Sequence, residues 1–258
     1  MDLSAVQILI AFLGSFTAGV INTMAGNGSV ITLSLLTDMI GLPGNIANGT
    51  NRVGILFQSM ASLKGFSNFK PLQTTQTKLI ATITVIGAII GTSVAVTISN
   101  EAFLSIFKYL MILMLVVVLF KPERWLIQNQ IEQKISHWIL IPVFLIIGFY
   151  GGFIQMGMGI FFLGLLVLVG KYDIISANII KTLVVSVFTM IILCIFAWKG
   201  LVRWDIGLLM AVGQSLGGFL TAYYGKQFKK IHIWAYRLLI GVIIVSIFIQ
   251  FGILKPHI

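Results

Sequence analysis

Residues 18–36 read AGVINTMAGNGSVITLSLL, and residues 151–169 read GGFIQMGMGIFFLGLLVLV. In each stretch an apolar helix stops at small residues and glycine, then resumes as a short apolar piece. ANGTNR follows the first at 47–52 and ANIIKT follows the second at 177–182, so each copy brings one basic residue, Arg52 or Lys181, shortly after its break. Broken apolar helices in matching positions of two halves are the best sequence pointer to a transporter's binding site.

Composition narrows the setting. The chain has 258 residues, 58% of them hydrophobic and 9% charged, against roughly 25% charged in a soluble domain. This is a polytopic membrane protein with little left for an extramembrane domain. The net charge of +10 would point to nucleic acid in a soluble chain; here most basic residues fall in short loops, where they set orientation. Cys194, the one cysteine, lies in an apolar run and has no partner for a disulfide or a thiolate metal site. The opening MDLSAVQ lacks the basic region of a signal peptide, so the first span reads as a retained helix.

Spanning a bilayer takes about 20 apolar residues, which predicts eight helices at about 4–24, 45–66, 77–98, 102–120, 138–155, 174–197, 204–224 and 233–253. Two pieces near 29–40 and 158–169 are too short to cross and read as half-helices shielded by protein. Ala47-Asn48 matches Ala177-Asn178, Gly87 and Gly91 match Gly213 and Gly217, Lys108 matches Arg237, and Lys121-Pro122 matches Lys255-Pro256. These coincidences in one order predict an all-α protein of two related four-helix repeats, 1–121 and 138–258, joined by the polar segment 122–137. Four crossings per repeat would orient the halves alike, and an odd count would invert them. Lys/Arg counting over eight crossings favours both termini on the cytoplasmic side.

Four basic residues fall inside predicted spans. Tyr109 and Tyr236 beside Lys108 and Arg237 suit a headgroup interface as well as a functional role. Arg52 and Lys181 recur beside the breaks and read as functional, because intramembrane charge is costly and faces the bundle interior. None of the seven acids sits mid-span; Asp38 and Asp173 lie at the ends of the short pieces. A buried cation without a carboxylate suits an anionic solute. The breaks add Gly26, Asn27, Gly28 and Ser29, then Gln155, Gly157 and Gly159. Glycine permits the turn, and a half-helix start offers N–H groups to an anion. Asn22, Asn48, Thr50, Asn51 and Asn178 supply neutral hydrogen bonds near the same level. The paired glycines, four apart, read as helix packing.

No catalytic or metal constellation accompanies this pattern. His137, His232 and His257 lie in loops or at the tail without ligand spacing, and Gly26-Asn27-Gly28 is no nucleotide fingerprint because no strand precedes it. The expectation is a non-enzymatic protein without cofactor or metal, acting on a small anionic solute in the bilayer, with no nucleic-acid partner and a homo-oligomer as an option. A passive anion channel and a membrane assembly factor without a solute are the alternatives.

With these residues in view, the chain resembles the TauE/SafE-like family of sulfite exporters and related permeases. The resemblance rests on AGVINTMAGNGSVITLSLL, the Gly41 to Pro43 turn, ANGTNR, GFYGGFIQMGMGIFFLGLLV, KYDIISANIIKT and the glycine pairs. It implies a cytoplasmic-membrane permease for sulfite, sulfonates or other small organic anions. It places the family's Gly-rich breaks at Gly26, Gly28, Gly157 and Gly159, and its Thr-Asn-basic run at Thr50, Asn51 and Arg52, with Lys181 at the second basic position. Ser29 stands where a further glycine is common, and the second break is short.

Overall fold

The structure, a computed structural model, describes residues 3–67, 75–119, 136–224 and 229–254, apart from the side chains of 75, 229–236 and 238. The predicted join at 122–137 therefore lies almost wholly outside the described residues. Within them the chain is helical: α1 (Ala5–Met24), α2 (Ser29–Ser34), α3 (Gly44–Gly65), α4 (Thr75–Ala95), α5 (Asn100–Leu119), α6 (His137–Phe153), α7 (Met158–Gly164), α8 (Ile174–Trp198), α9 (Trp204–Tyr224) and α10 (Lys229–Gln250). The short helices α2 and α7 both continue as π-helical segments, Leu35–Met39 and Leu165–Val169.

Five helices, α1, α4, α5, α8 and α9, are long and apolar enough to cross a membrane. The other three predicted spans are helical but miss one condition. α3 has 22 residues but carries Asn48, Thr50, Asn51, Arg52, Gln58 and Ser62. α6 has 17 residues, and the described apolar part of α10 is Leu239–Gln250. Leu9, Leu13, Ile86, Ile90, Val187 and Met190 are exposed on the outer faces, as lipid contact requires.

α1 opens on a reciprocal cap, with the Ser4 hydroxyl accepting from the Gln7 N–H and the Gln7 side chain accepting from the Ser4 N–H. It stops where Gly26 turns to φ 77°. α2 then lies back along α1. A Cβ on Gly28 would come 2.0 Å from the Ala18 oxygen, and one on Gly14 would come 2.5 Å from a Leu35 methyl. The chain from Gly28 to Leu35 thus runs back from Ala18 toward Gly14, which makes α1 and α2 a hairpin.

Glycine sets the closest helix crossings. Gly87 and Gly91 of α4 would place a Cβ 2.2 Å and 2.0 Å from the oxygens of Leu145 and Phe149 on α6, and Gly148 and Gly152 answer from α6 against Thr84 and Ala88. A Cβ on Gly217 of α9 would come 2.1 Å from the Phe16 oxygen, and one on Gly19 of α1 would come 2.2 Å from that of Gln214. Both predicted glycine pairs therefore serve close packing. Each broken helix packs on a helix from the other half of the sequence, α1 on α9 and α6 on α4. α3 and α8 cross in opposite directions: Gly49, near the start of α3, faces Phe196 near the end of α8 and Leu201 just beyond it, while Ser59, further along α3, shares a cavity with Thr182, early in α8.

Candidate binding site at the crossing of two breaks

The two Gly-rich breaks meet backbone to backbone. A Cβ on Gly26 would lie 2.4 Å from the Cα of Gly159, and one on Gly157 would lie 3.1 Å from Asn27 Oδ1. Gly157 has φ 70°, and Gln155 takes φ 61° without being glycine, a strained choice that persists only where surroundings hold it. Here the surroundings include Arg52, which donates to the Gln155 side-chain oxygen.

Arg52 is fully buried. It also donates from Nη1 to the Gly151 oxygen at 2.7 Å, and from Nη2 to the Gly152 oxygen at 3.0 Å and Asn48 Oδ1 at 3.1 Å. Asn48 Nδ2 takes the Phe153 oxygen at 2.7 Å. Two side chains of α3 thus satisfy the last carbonyls of α6, where a helix leaves its oxygens unpaired and its dipole negative. Lys181 does the same for the other break. Its Nζ donates to the oxygens of Asn22 and Thr23 at 3.0 and 3.3 Å and to Asn178 Oδ1 at 2.8 Å. Each cation rests on an Asn of its own helix and closes the broken helix of the other half.

These partners amend the expectation of interior cations without counter-groups: backbone oxygens take that place, and no carboxylate does among the described residues. Three buried nitrogens nearby have no hydrogen-bond partner among the described residues: Asn27 Nδ2, Asn51 Nδ2 and Arg52 Nε. Ser29 Oγ is buried and unpartnered as well. Asn51 Oδ1 accepts from Thr32 at 2.6 Å, which ties α3 to α2.

A cavity of about 20 Å³ sits at the crossing, lined in part by Asn22, Gly26, Gln155, Gly159 and Lys181; that is room for roughly one water. The structure gathers most of the residues picked from the sequence around this point. Thr50 stands apart, accepting from the Arg203 N–H at 3.0 Å in the α8–α9 link. Gly28 serves the α1–α2 hairpin. Lys108 lies 4.1 Å over the ring of Phe251, and Arg237 is exposed, so neither reaches the crossing.

Gln58, Ser59 and Thr182 also line the cavity and were missed. Gln58 binds the Asn22 amide at 3.2 Å, Thr23 at 2.8 Å and Ser62 at 2.9 Å. Their signal was present: Asn51, Gln58 and Ser62 recur at helical spacing along one side of α3. At the surface Arg203 and Asp205 form an exposed salt bridge of 2.7 Å, which contributes little to stability.

Comparison with known proteins agrees with this architecture. The family model described as "Sulfite exporter TauE/SafE" matches residues 11–251. The chain is 26% identical over 226 residues to "Probable membrane transporter protein ORF9" of Sinorhizobium sp, covering 86% of this chain and 85% of that one. It is 26% identical to a "Probable membrane transporter protein" of Haemophilus influenzae, covering 86% of each, and 24% identical to one of Xylella fastidiosa, covering 87% of each. No solved structure matches. The chain belongs to the sulfite exporter TauE/SafE family, and is thereby a multi-pass membrane transporter.

Proposed function

We propose that this protein is a carrier for a small oxyanion, of the sulfite, sulfonate or related organic-anion class, bound where the two breaks cross. The observation that carries this reading is an excess of buried donors. Arg52 and Lys181 bring positive charge, and Asn27 Nδ2, Asn51 Nδ2 and Arg52 Nε have no acceptor among the described residues, against one unpaired acceptor beside them, Asn27 Oδ1. An acceptor-only ligand would satisfy such groups, whereas a cation would leave them unpaired. The cavity of about 20 Å³ fits a closed state, so passage needs the walls to part, as a carrier's do.

We further read the chain as two inverted halves, each a broken-helix hairpin followed by three crossing helices. The α1–α2 fold-back and the opposed α3 and α8 support this over eight crossings. It also reverses the expected orientation. By chain order, the links from α3 to α4, α5 to α6, the second π segment to α8 and α9 to α10, with their flanks, hold Lys64, Lys70, Lys78, Lys121, Arg124, Lys134, Lys171, Lys226, Lys229 and Lys230 in the sequence. The opposite face carries Lys199, Arg203 and Lys255, so ten stand against three. The positive-inside rule then places the termini outside the cytoplasm. Because α1 packs on α9 and α6 on α4, the sequence halves interlock. The bodies that part are therefore α1–α3 with α9 and α6–α8 with α4.

The test is thermal unfolding of the purified protein against sulfite, sulfate, thiosulfate, sulfoacetate, taurine, acetate and phosphate. A ligand at about a hundred times its Kd stabilises by about 2.7 kcal/mol. A selective shift identifies the anion class; saturating flux in vesicles then separates a carrier from a channel. The absence of a shift with every anion would count against the reading.

A further inference from the structure

Asp38 lies in the π-helical segment Leu35–Met39, away from the crossing. The sequence places it at the end of a short piece; the structure sets it against α10. Gln250 Nε2 donates to Asp38 Oδ1 at 2.5 Å, joining residues 212 positions apart. Thr37 Oγ1 is 2.8 Å from the same oxygen and 2.9 Å from the Leu33 oxygen. The other carboxyl oxygen, Oδ2, is buried with no hydrogen-bond partner among the described residues. It stands beside a groove of about 610 Å³ between α1, α2 with its π segment, and α10, whose walls include Leu13, Ile31, Leu35, Val242 and Val245.

This arrangement accommodates both protonation states. The Thr37 hydroxyl has one proton and two acceptors within reach. With Asp38 ionised, the hydroxyl donates to Oδ1. With Asp38 protonated, the carboxyl donates to Thr37 and the hydroxyl turns to the Leu33 oxygen. Ser246 of α10 also faces the carboxyl and lines the groove. Lys108 of α5 lies over the ring of Phe251, the neighbour of Gln250, and among the described residues the helices packed on the segment bring no other charge close to Asp38. α1 contains no titratable side chain; α3 brings Arg52, engaged at α6, and Lys64 at its far end; the titratable groups of α10 lie between Lys229 and Arg237, about 20 Å along the helix from Gln250. Asp38 is also close in sequence to the Ile40–Pro43 link, where Gly41 and Pro43 are exposed. Single π-helical turns recur at functional positions in helices.

We propose that Asp38 is a proton-binding site and that the proton is the ion coupled to anion movement. The carboxylate takes a proton from the face where α3 begins and releases it when the π segment and α10 shift apart. The coupling rests on the carrier reading above; proton binding does not.

Two measurements on the full chain test it. The first is infrared difference spectroscopy across a pH titration, which reads the carbonyl stretch of a protonated carboxyl directly. A band that titrates in the wild type, is lost in Asp38→Asn, survives in Asp173→Asn and moves its midpoint in Gln250→Leu is the expected result. The absence of a titrating band, or a band unchanged in Asp38→Asn, overturns the proposal whether or not the protein carries sulfite. The second uses vesicles with sulfite as probe and a pH dye inside. Sulfite-driven proton flux in the wild type, lost in Asp38→Asn while sulfite exchange persists, supports coupling. Proton flux unchanged in Asp38→Asn overturns coupling. If the wild type moves no sulfite, the sulfite-carrier reading fails separately and the infrared result decides Asp38.

Discussion

Lys181 of α8 holds the end of α1 through the backbone oxygen of Asn22, 3.0 Å away. The residues are 159 positions apart, so one ammonium joins the two halves of the chain at the break itself. The same contact makes Lys181 both a wall of the central cavity and a brace of the helix that forms it.

That double duty changes the outcome expected from neutralising the cations. Sequence alone predicts that Arg52→Gln or Lys181→Gln stops flux with folding intact. The structure predicts a loss of stability as well. Lys181→Met strips donors from the oxygens of Asn22 and Thr23, and a buried acceptor left unsatisfied costs about 1–3 kcal/mol. Thermal unfolding without ligand should show lowered midpoints for Lys181→Met and Arg52→Gln. Unchanged midpoints would remove the bracing role and return both residues to ligand binding alone.

Gly159→Ala should be among the most damaging small substitutions in the chain. A Cβ on Gly159 would meet the Gly26 Cα at 2.4 Å and its oxygen at 2.8 Å, and backbone on both sides leaves nothing flexible to yield. The expected result is reduced folded yield in detergent and loss of flux. Wild-type yield and flux would show that the breaks do not touch.

Two glycines make a contrasting pair. A Cβ on Gly91 would lie 2.0 Å from the Phe149 oxygen, whereas one on Gly164 would meet nothing within 4 Å. Gly91→Ala should force α4 from α6 and lower the unfolding midpoint. Gly164→Ala should be neutral or stabilise by about 0.5–1 kcal/mol, since alanine loses less backbone freedom in a helix. Equal effects would contradict the packing assignment.

Orientation is open to labelling in a Cys194→Ser background. Lys199→Cys should react with an impermeant thiol reagent added outside intact cells, and Gln130→Cys only after the cytoplasm is opened. Protection of both positions in intact cells would restore eight crossings with cytoplasmic termini, and the reverse pattern would keep the inverted halves but place the termini in the cytoplasm.

The helices, both breaks, the glycine packing pairs and the interior cations were legible in the sequence, because each is written locally. Apolar run length marks a helix in lipid, glycine marks a turn, and charge among apolar residues marks a polar interior. The partners were not legible. Nothing near Arg52 names the oxygens of Gly151 and Gly152, which it reaches across about a hundred residues, and nothing near Asp38 names Gln250. Backbone carbonyls at a helix end look alike in every sequence, so only tertiary packing decides which cation closes which helix. The same holds for the fold-back of α2 on α1: an apolar segment of that length is compatible with continuing or returning, and the fit of Gly28 against Ala18 and Gly14 against Leu35 selects the return.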